Sequence, residues 1–248
     1  MKEWLIEHMG RLLCVGAVAI VMMVALSWGR KQTPRSMPCV AIEYEFRDGK
    51  QRQYVDQDEL DRLLDKEHIH PVDQPLSSVA LQRMEETLQH HPMIRTAECF
   101  LTPRRVVKVQ LTQRVPLLQV QLPEEVYYID TDRKKMEARP SITDKVLKVK
   151  GAVSEELAGT ELADFAQWVQ QSAYWTNKIA YVEMRTPQMM YIHLTGAHQP
   201  RVIMGDIAGF DSKLAKLHTF FEHGEEATKD KQYTELDLRF HDQVIGRK

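Results

Sequence analysis

Residues 96–112, Thr96-Ala97-Glu98-Cys99-Phe100-Leu101-Thr102-Pro103-Arg104-Arg105-Val106-Val107-Lys108-Val109-Gln110-Leu111-Thr112, read as two strands and the turn that joins them. Ala97, Cys99 and Leu101 alternate with Thr96, Glu98 and Phe100; Val107, Val109 and Leu111 alternate with Lys108, Gln110 and Thr112. Alternation at period two places one set on each face of a pleated strand. Thr102-Pro103-Arg104-Arg105 predicts the hairpin turn, because proline presets the backbone angle a turn needs. Upstream the period changes. Ser77 or Ser78 opens a helix with Leu81, Met84, Glu85 and Leu88 at helical spacing, closed by His90-His91-Pro92. Asp56 or Asp58 caps an earlier helix carrying Leu60, Leu63 and Leu64 on one face. Cys39–Phe46 alternates again and reads as a strand. The order strand, helix, helix, strand, strand predicts a small sheet with two helices on one face, a two-layer solution that buries both apolar sets.

Further toward the N-terminus, Leu12–Gly29 (LLCVGAVAIVMMVALSWG) carries no charged residue. Eighteen residues at about 1.5 Å each reach roughly 27 Å, enough for a hydrocarbon core. Arg11 and Arg30 bracket the run and Trp28 suits an interface, so residues 12–29 are expected to be a transmembrane helix behind a short tail, 1–11. The rival is a cleaved signal peptide; Trp28-Gly29-Arg30-Lys31 offers it no small-x-small cleavage site. Lys2 and Arg11 precede the run while Arg30, Lys31 and Arg35 follow it, so flank charges leave sidedness open. Residues 30–38 read as a polar, proline-bearing tether.

Beyond Pro116 strands dominate: Leu117–Gln121, Val126–Ile129, Val146–Val149, Ile179–Met184, Met189–Leu194 and Val202–Met204. Two helices interrupt them, one after Thr160 with Leu162, Phe165, Ala166 and Val169, one after Asp211 or Ser212 with Leu214, Leu217 and Phe221. The chain closes on Tyr233–Ile245, where Leu236, Leu238 and Phe240 alternate with Asp237 and Arg239. The fold class is α+β.

Composition excludes several functions. A net charge of −2 gives no polyelectrolyte attraction to nucleic acid. The histidines fall at no zinc spacing, and no G-x-S-x-G or P-loop occurs, so no catalytic residue, metal or cofactor is expected. Cys39 and Cys99 are either a bridged pair or two small buried residues. The closing segment, with no later strand to pair on one side, is either a sheet edge with free main-chain groups or an inner strand.

Three motifs together resemble the bacterial cell-division family FtsQ/DivIB. His91-Pro92-Met93-Ile94-Arg95-Thr96-Ala97 is similar to the "P-x-V-x-x-A" entry of its POTRA domain. Gln113-Arg114-Val115-Pro116 resembles the closing "E-R-x-P", with glutamine in place of glutamate, and Leu236-Asp237-Leu238-Arg239-Phe240 resembles the "D-L-R-Y" strand. The resemblance implies a POTRA domain over 39–115 and a mainly antiparallel β-domain over 116–248. It implies no catalysis, a cytoplasmic N-terminus, and two domains outside the inner membrane at the division septum. It also implies binding of FtsB- and FtsL-type partners through the last strands, which puts partner contacts on Tyr233, Leu236, Leu238, Phe240 and Val244. The weighed alternatives are a POTRA-bearing export or outer-membrane assembly factor and an anchored periplasmic enzyme.

Overall fold

The computed structural model describes residues 37–48, 54–224, 233–241 and 243–248. The tail 1–11 and the expected transmembrane helix 12–29 lie outside the described residues. Among those described, no helix is long and apolar enough to cross a membrane.

The first unit is the expected one. Strand β1 (Ala41–Phe46) is followed by helices α1 (Gln57–Lys66) and α2 (Leu81–Gln89), then β2 (Ile94–Leu101) and β3 (Val106–Gln113). Its sheet order is β1-β3-β2, with β1 parallel and β2 antiparallel to β3. The alternation seen in sequence sorts the side chains. Ala97, Cys99, Val107, Val109 and Leu111 are buried against Leu60, Leu64, Met84 and Leu88 of the helices. Each such aliphatic side chain contributes about 1.5–3 kcal/mol on burial. Cys39 and Cys99 are both buried free thiols, and desolvation pushes the Cys99 thiol up to about 12. They are core residues. Helix α2 starts later than expected, at Leu81, because Ser78 spends its hydroxyl on the Pro75 carbonyl.

The second unit is one nine-stranded sheet, ordered β12-β11-β10-β9-β8-β7-β4-β5-β6. Its strands are β4 (Pro116–Gln121), β5 (Val126–Asp130), β6 (Lys135–Glu137), β7 (Leu147–Gly151), β8 (Ile179–Thr186), β9 (Met189–Leu194), β10 (Arg201–Gly205), β11 (Glu235–Asp237) and β12 (Ile245–Arg247). It is antiparallel except at β4–β7, β7–β8 and β10–β11, which are parallel. A short helix α3 (Glu155–Gly159), capped by the Ser154 hydroxyl, precedes α4 (Glu161–Gln171); α5 (Phe210–Thr219) runs into a π-helical turn at Phe220–Gly224. Three helices therefore stand where two were expected. Leu162, Phe165, Ala166, Leu214 and Leu217 cover one face of the sheet.

The two units share a packed interface. Residues of β5 alternate between two cores: Tyr127 and Ile129 face the helices of the second unit, whereas Tyr128 packs into the first unit's core with Met136, Ile142 and Val146. Polar bonds rim this contact. Arg139 grips Glu59 of α1 through Nη1 at 2.8 and 2.9 Å, and Tyr54 donates to Asp144 at 2.5 Å. At the crossing itself the Arg114 guanidinium meets buried Asp130 at 2.8 Å. Arg139→Ala is expected to cost about 1–2 kcal/mol of stability, since it strips a charged hydrogen-bond donor from a partly buried carboxylate. A urea unfolding midpoint checks this.

Candidate partner-docking edge

The sequence predicts one strand over Tyr233–Ile245. The structure corrects this: the segment is two short strands separated by a bend, and the sheet border is β12, not β11. Strand β11 is bonded on both flanks, to β10 in parallel and to β12 in antiparallel register. The break has a local cause. The carboxylate of Asp237, fully buried, accepts from Arg239 Nε at 2.9 Å, Arg239 Nη2 at 2.6 Å and the Arg239 backbone N–H at 3.2 Å. From α5, Lys216 Nζ donates to the carbonyls of Leu238, Phe240 and His241 at 3.4, 2.5 and 3.0 Å. Main-chain groups that would continue the ladder are thus spent on one carboxylate and one ammonium.

The five residues expected to meet a partner separate by environment. Leu236 and Leu238 are buried in the core below the sheet. Tyr233 is half-buried and its ring lies on Gly246, where an added Cβ would come within 2.3 Å of Tyr233 Cε1. Phe240 is 42% exposed on the bend, and Val244 is half-buried beside β12. The structure therefore leaves Phe240 exposed and Val244 half-buried, and keeps the two leucines in the core.

Hydrogen-bond parity fixes which main-chain groups are free. Arg201 N–H donates to the Thr234 carbonyl and Leu238 N–H to the Ile203 carbonyl, each at 2.9 Å, which in the parallel register turns Leu236 toward β10, while the Thr234 N–H donates to the Arg247 carbonyl of β12 at 2.8 Å. Glu235 and Asp237 must then face β12, opposite Arg247 and Ile245. The N–H and C=O of Gly246 consequently point outward from the sheet. Sequence reasoning missed Gly246, although glycine inside a strand marks a close approach of another backbone. Hydrogen bonding from Arg239, helped by Arg247 nearby, holds the Asp237 carboxyl below the usual carboxylate range. With its folded pKa lowered, Asp237 stabilises this border fully above about pH 4 and loses that contribution as pH falls further. Chemical shifts of β11 and β12 are expected to move on acidification below pH 4 before the core melts, which two-dimensional NMR resolves.

The β2 border is capped by side chains. On β2 the outward Cys99 N–H donates to Glu85 Oε1 at 2.7 Å and the Ala97 carbonyl accepts from Gln89 Nε2 at 3.0 Å, both from α2. Strand β6 at the far end of the large sheet has Met136 buried in the first unit's core.

Family models match the two units in turn. A POTRA-like domain model matches residues 37–112, and a model described as FtsQ/DivIB, C-terminal related, matches residues 115–247. The chain belongs to the FtsQ/DivIB family. No curated protein matches it. Membership implies a role in a cell-division scaffold, built from a POTRA-like domain and an FtsQ/DivIB-type β-domain.

Catalytic alternatives find little geometry. His90 bonds the Glu86 carbonyl through Nδ1 at 2.6 Å, a helix-end contact. His91 meets Glu59 at 3.2 Å, but that carboxylate is already held by Arg139. Burial raises the Glu59 pKa, yet hydrogen bonds from Arg139 and His91 outweigh it and hold the group ionised and structural. Among the described residues no group of three or more His, Cys, Asp or Glu is placed to hold a metal ion.

Proposed function

We propose that this FtsQ/DivIB-family chain is a non-enzymatic, single-pass divisome scaffold whose β12 border receives a strand from an FtsB- or FtsL-type partner. The observation that carries this reading is that β12 ends the sheet, with the N–H and C=O of Gly246 on the side away from β11. Strand addition uses such groups, each bond worth about 0.5–1.5 kcal/mol net, while neighbouring side chains give selectivity. Phe240 and Val244 supply the apolar neighbours here, and Tyr233, Leu236 and Leu238 hold the border in place from below. In this reading residues 12–29 cross the inner membrane, the N-terminus is cytoplasmic, and the two domains stand in the periplasm at the septum. Confinement beside equally anchored partners raises their effective concentration.

The alternative of a POTRA-bearing assembly factor that accepts strands at the β2 border is disfavoured by the capping of β2 through Glu85 and Gln89. Phe240→Glu is expected to weaken capture of an FtsB-type partner about tenfold with an unchanged circular dichroism spectrum, because it puts a charge where an apolar contact belongs. Unchanged pull-down would place the contact elsewhere. Fluorescent tagging checks the septal part: midcell enrichment is expected, and an even envelope signal would contradict it.

A further inference from the structure

The face of the large sheet away from its helices carries a second feature. Cross-strand neighbours there are Gln119 and Lys148, Gln121 and Lys150, Lys150 and Glu183, and Tyr181 and His193. Most charges on this face are neutralised. Glu183 meets Arg185 and His193 at 3.1 Å each, Arg201 pairs with Glu235, and Asp237 with Arg239 and Arg247. Lys148 and Lys150 are the exception: both are exposed, and neither has a carboxylate within ion-pair distance among the described residues. Their strand neighbours on β4 are neutral amides, and the oxygens of Glu183 are taken. Lys150 is not loose, however. Its ammonium sits 4.5 Å above the ring of Tyr181, which is itself stacked on His193 at 4.2 Å. The POTRA-like domain walls this site, because Tyr128 and Val146, on the same face as Gln119 and Lys148, pack into its core.

We propose that this corner receives an extended acidic segment of a partner polypeptide, with Lys148 and Lys150 as its two cationic anchors. Two lysines at i and i+2 on one strand lie about 6.6 Å apart, and carboxylates at alternate positions of an extended chain have the same spacing. A planar anionic bilayer fits less well. Val146, two residues from Lys148, packs against the first unit's core, so this face runs into a second domain instead of continuing as an open plane. The site is distinct from the β12 border and does not depend on the partner proposed there.

The test uses the full chain in neutral detergent and a fluorescein-labelled peptide with glutamate at alternate positions, against its glutamine counterpart. Saturable anisotropy is expected for the acidic peptide alone at low salt, weakening several-fold as salt rises to about 0.3 M. Lys148→Gln/Lys150→Gln is expected to weaken binding roughly tenfold, the scale of two exposed charge pairs, while Lys66→Gln on α1 leaves it unchanged. Circular dichroism of the double variant verifies its fold. Absent wild-type binding, equal loss in Lys66→Gln, or an unaffected double variant would each overturn the proposal. A fluorophore at Lys150→Cys in a Cys14→Ala background, in lipid nanodiscs, provides the membrane arm. Its emission is expected to stay aqueous in neutral and in phosphatidylglycerol discs, and a blue shift in the anionic discs would assign the lysines to the bilayer instead.

Discussion

Replacing Gly246 by proline is expected to weaken capture of an FtsB-type partner by about thirtyfold. Proline removes the outward N–H, and its ring occupies space that the Tyr233 ring already fills, since a single added Cβ would lie 2.3 Å from Cε1. Tyr233 must then leave, and β12 loses its seat against β11. The two outward groups of Gly246, at about 1 kcal/mol each, amount to about 2 kcal/mol, or roughly thirtyfold in affinity. The body of the protein is expected to survive. Strand β12 is three residues long, with Ile245 half-buried and its neighbours exposed, so the melting temperature falls by about 4 °C at most. Gly246→Ala separates steric from hydrogen-bonding effects: it keeps the N–H, and pairing it with Tyr233→Ala relieves the clash. Partial recovery of binding in that double variant, measured by titration calorimetry, is the expected outcome.

Asp130→Ala is expected to be the most destabilising single change at the junction, costing about 3–5 kcal/mol, the scale for breaking a buried ion pair and leaving one charge behind. Asp130 is 1% exposed. One oxygen accepts from Arg114 at 2.8 Å, and the other accepts the N–H groups of Asp132 and Lys134 at 2.9 and 2.7 Å, shaping the β5–β6 turn. Removing it strands the Arg114 guanidinium and two turn donors together. Asp130→Asn keeps an acceptor for the turn and is expected to lose about half as much. Urea midpoints rank the two, and equal midpoints for wild type and Asp130→Ala would contradict the assignment of this pair as the structural joint.

Much of this fold was legible in sequence because alternation and helical spacing report burial directly. Val107, Val109 and Leu111 alternate in sequence and are buried together in the structure, and Leu60 and Leu64 take the predicted inner face of α1. Pairing order was not legible: nothing in β1 announces that it lies parallel to β3 and across it from β2. The packing of one domain on the other was hidden for a related reason. Tyr127, Tyr128 and Ile129 are consecutively apolar, a pattern shared by any strand buried on both faces, and it does not name the second neighbour. The closing segment misled for a third reason. Leu236, Asp237 and Leu238 alternate as a strand should, but the groups that end the strand are side chains: Arg239 folding back on Asp237, and Lys216 from 24 residues upstream capturing the Phe240 carbonyl. A long strand with a polar and an apolar face therefore became two short ones, and the exposed border moved to residues with little side-chain signature. Glycine at 246 was the available sign.

The most direct measurement is amide hydrogen exchange at single-residue resolution across β12, with and without an FtsB-type partner. The Gly246 amide is expected to exchange rapidly in the free protein, while Ile245 and Arg247, bonded to β11, exchange slowly; adding the partner should protect Gly246 as well. A Gly246 amide already protected in the free protein, or one whose exchange the bound partner leaves unchanged, would contradict strand addition at this border.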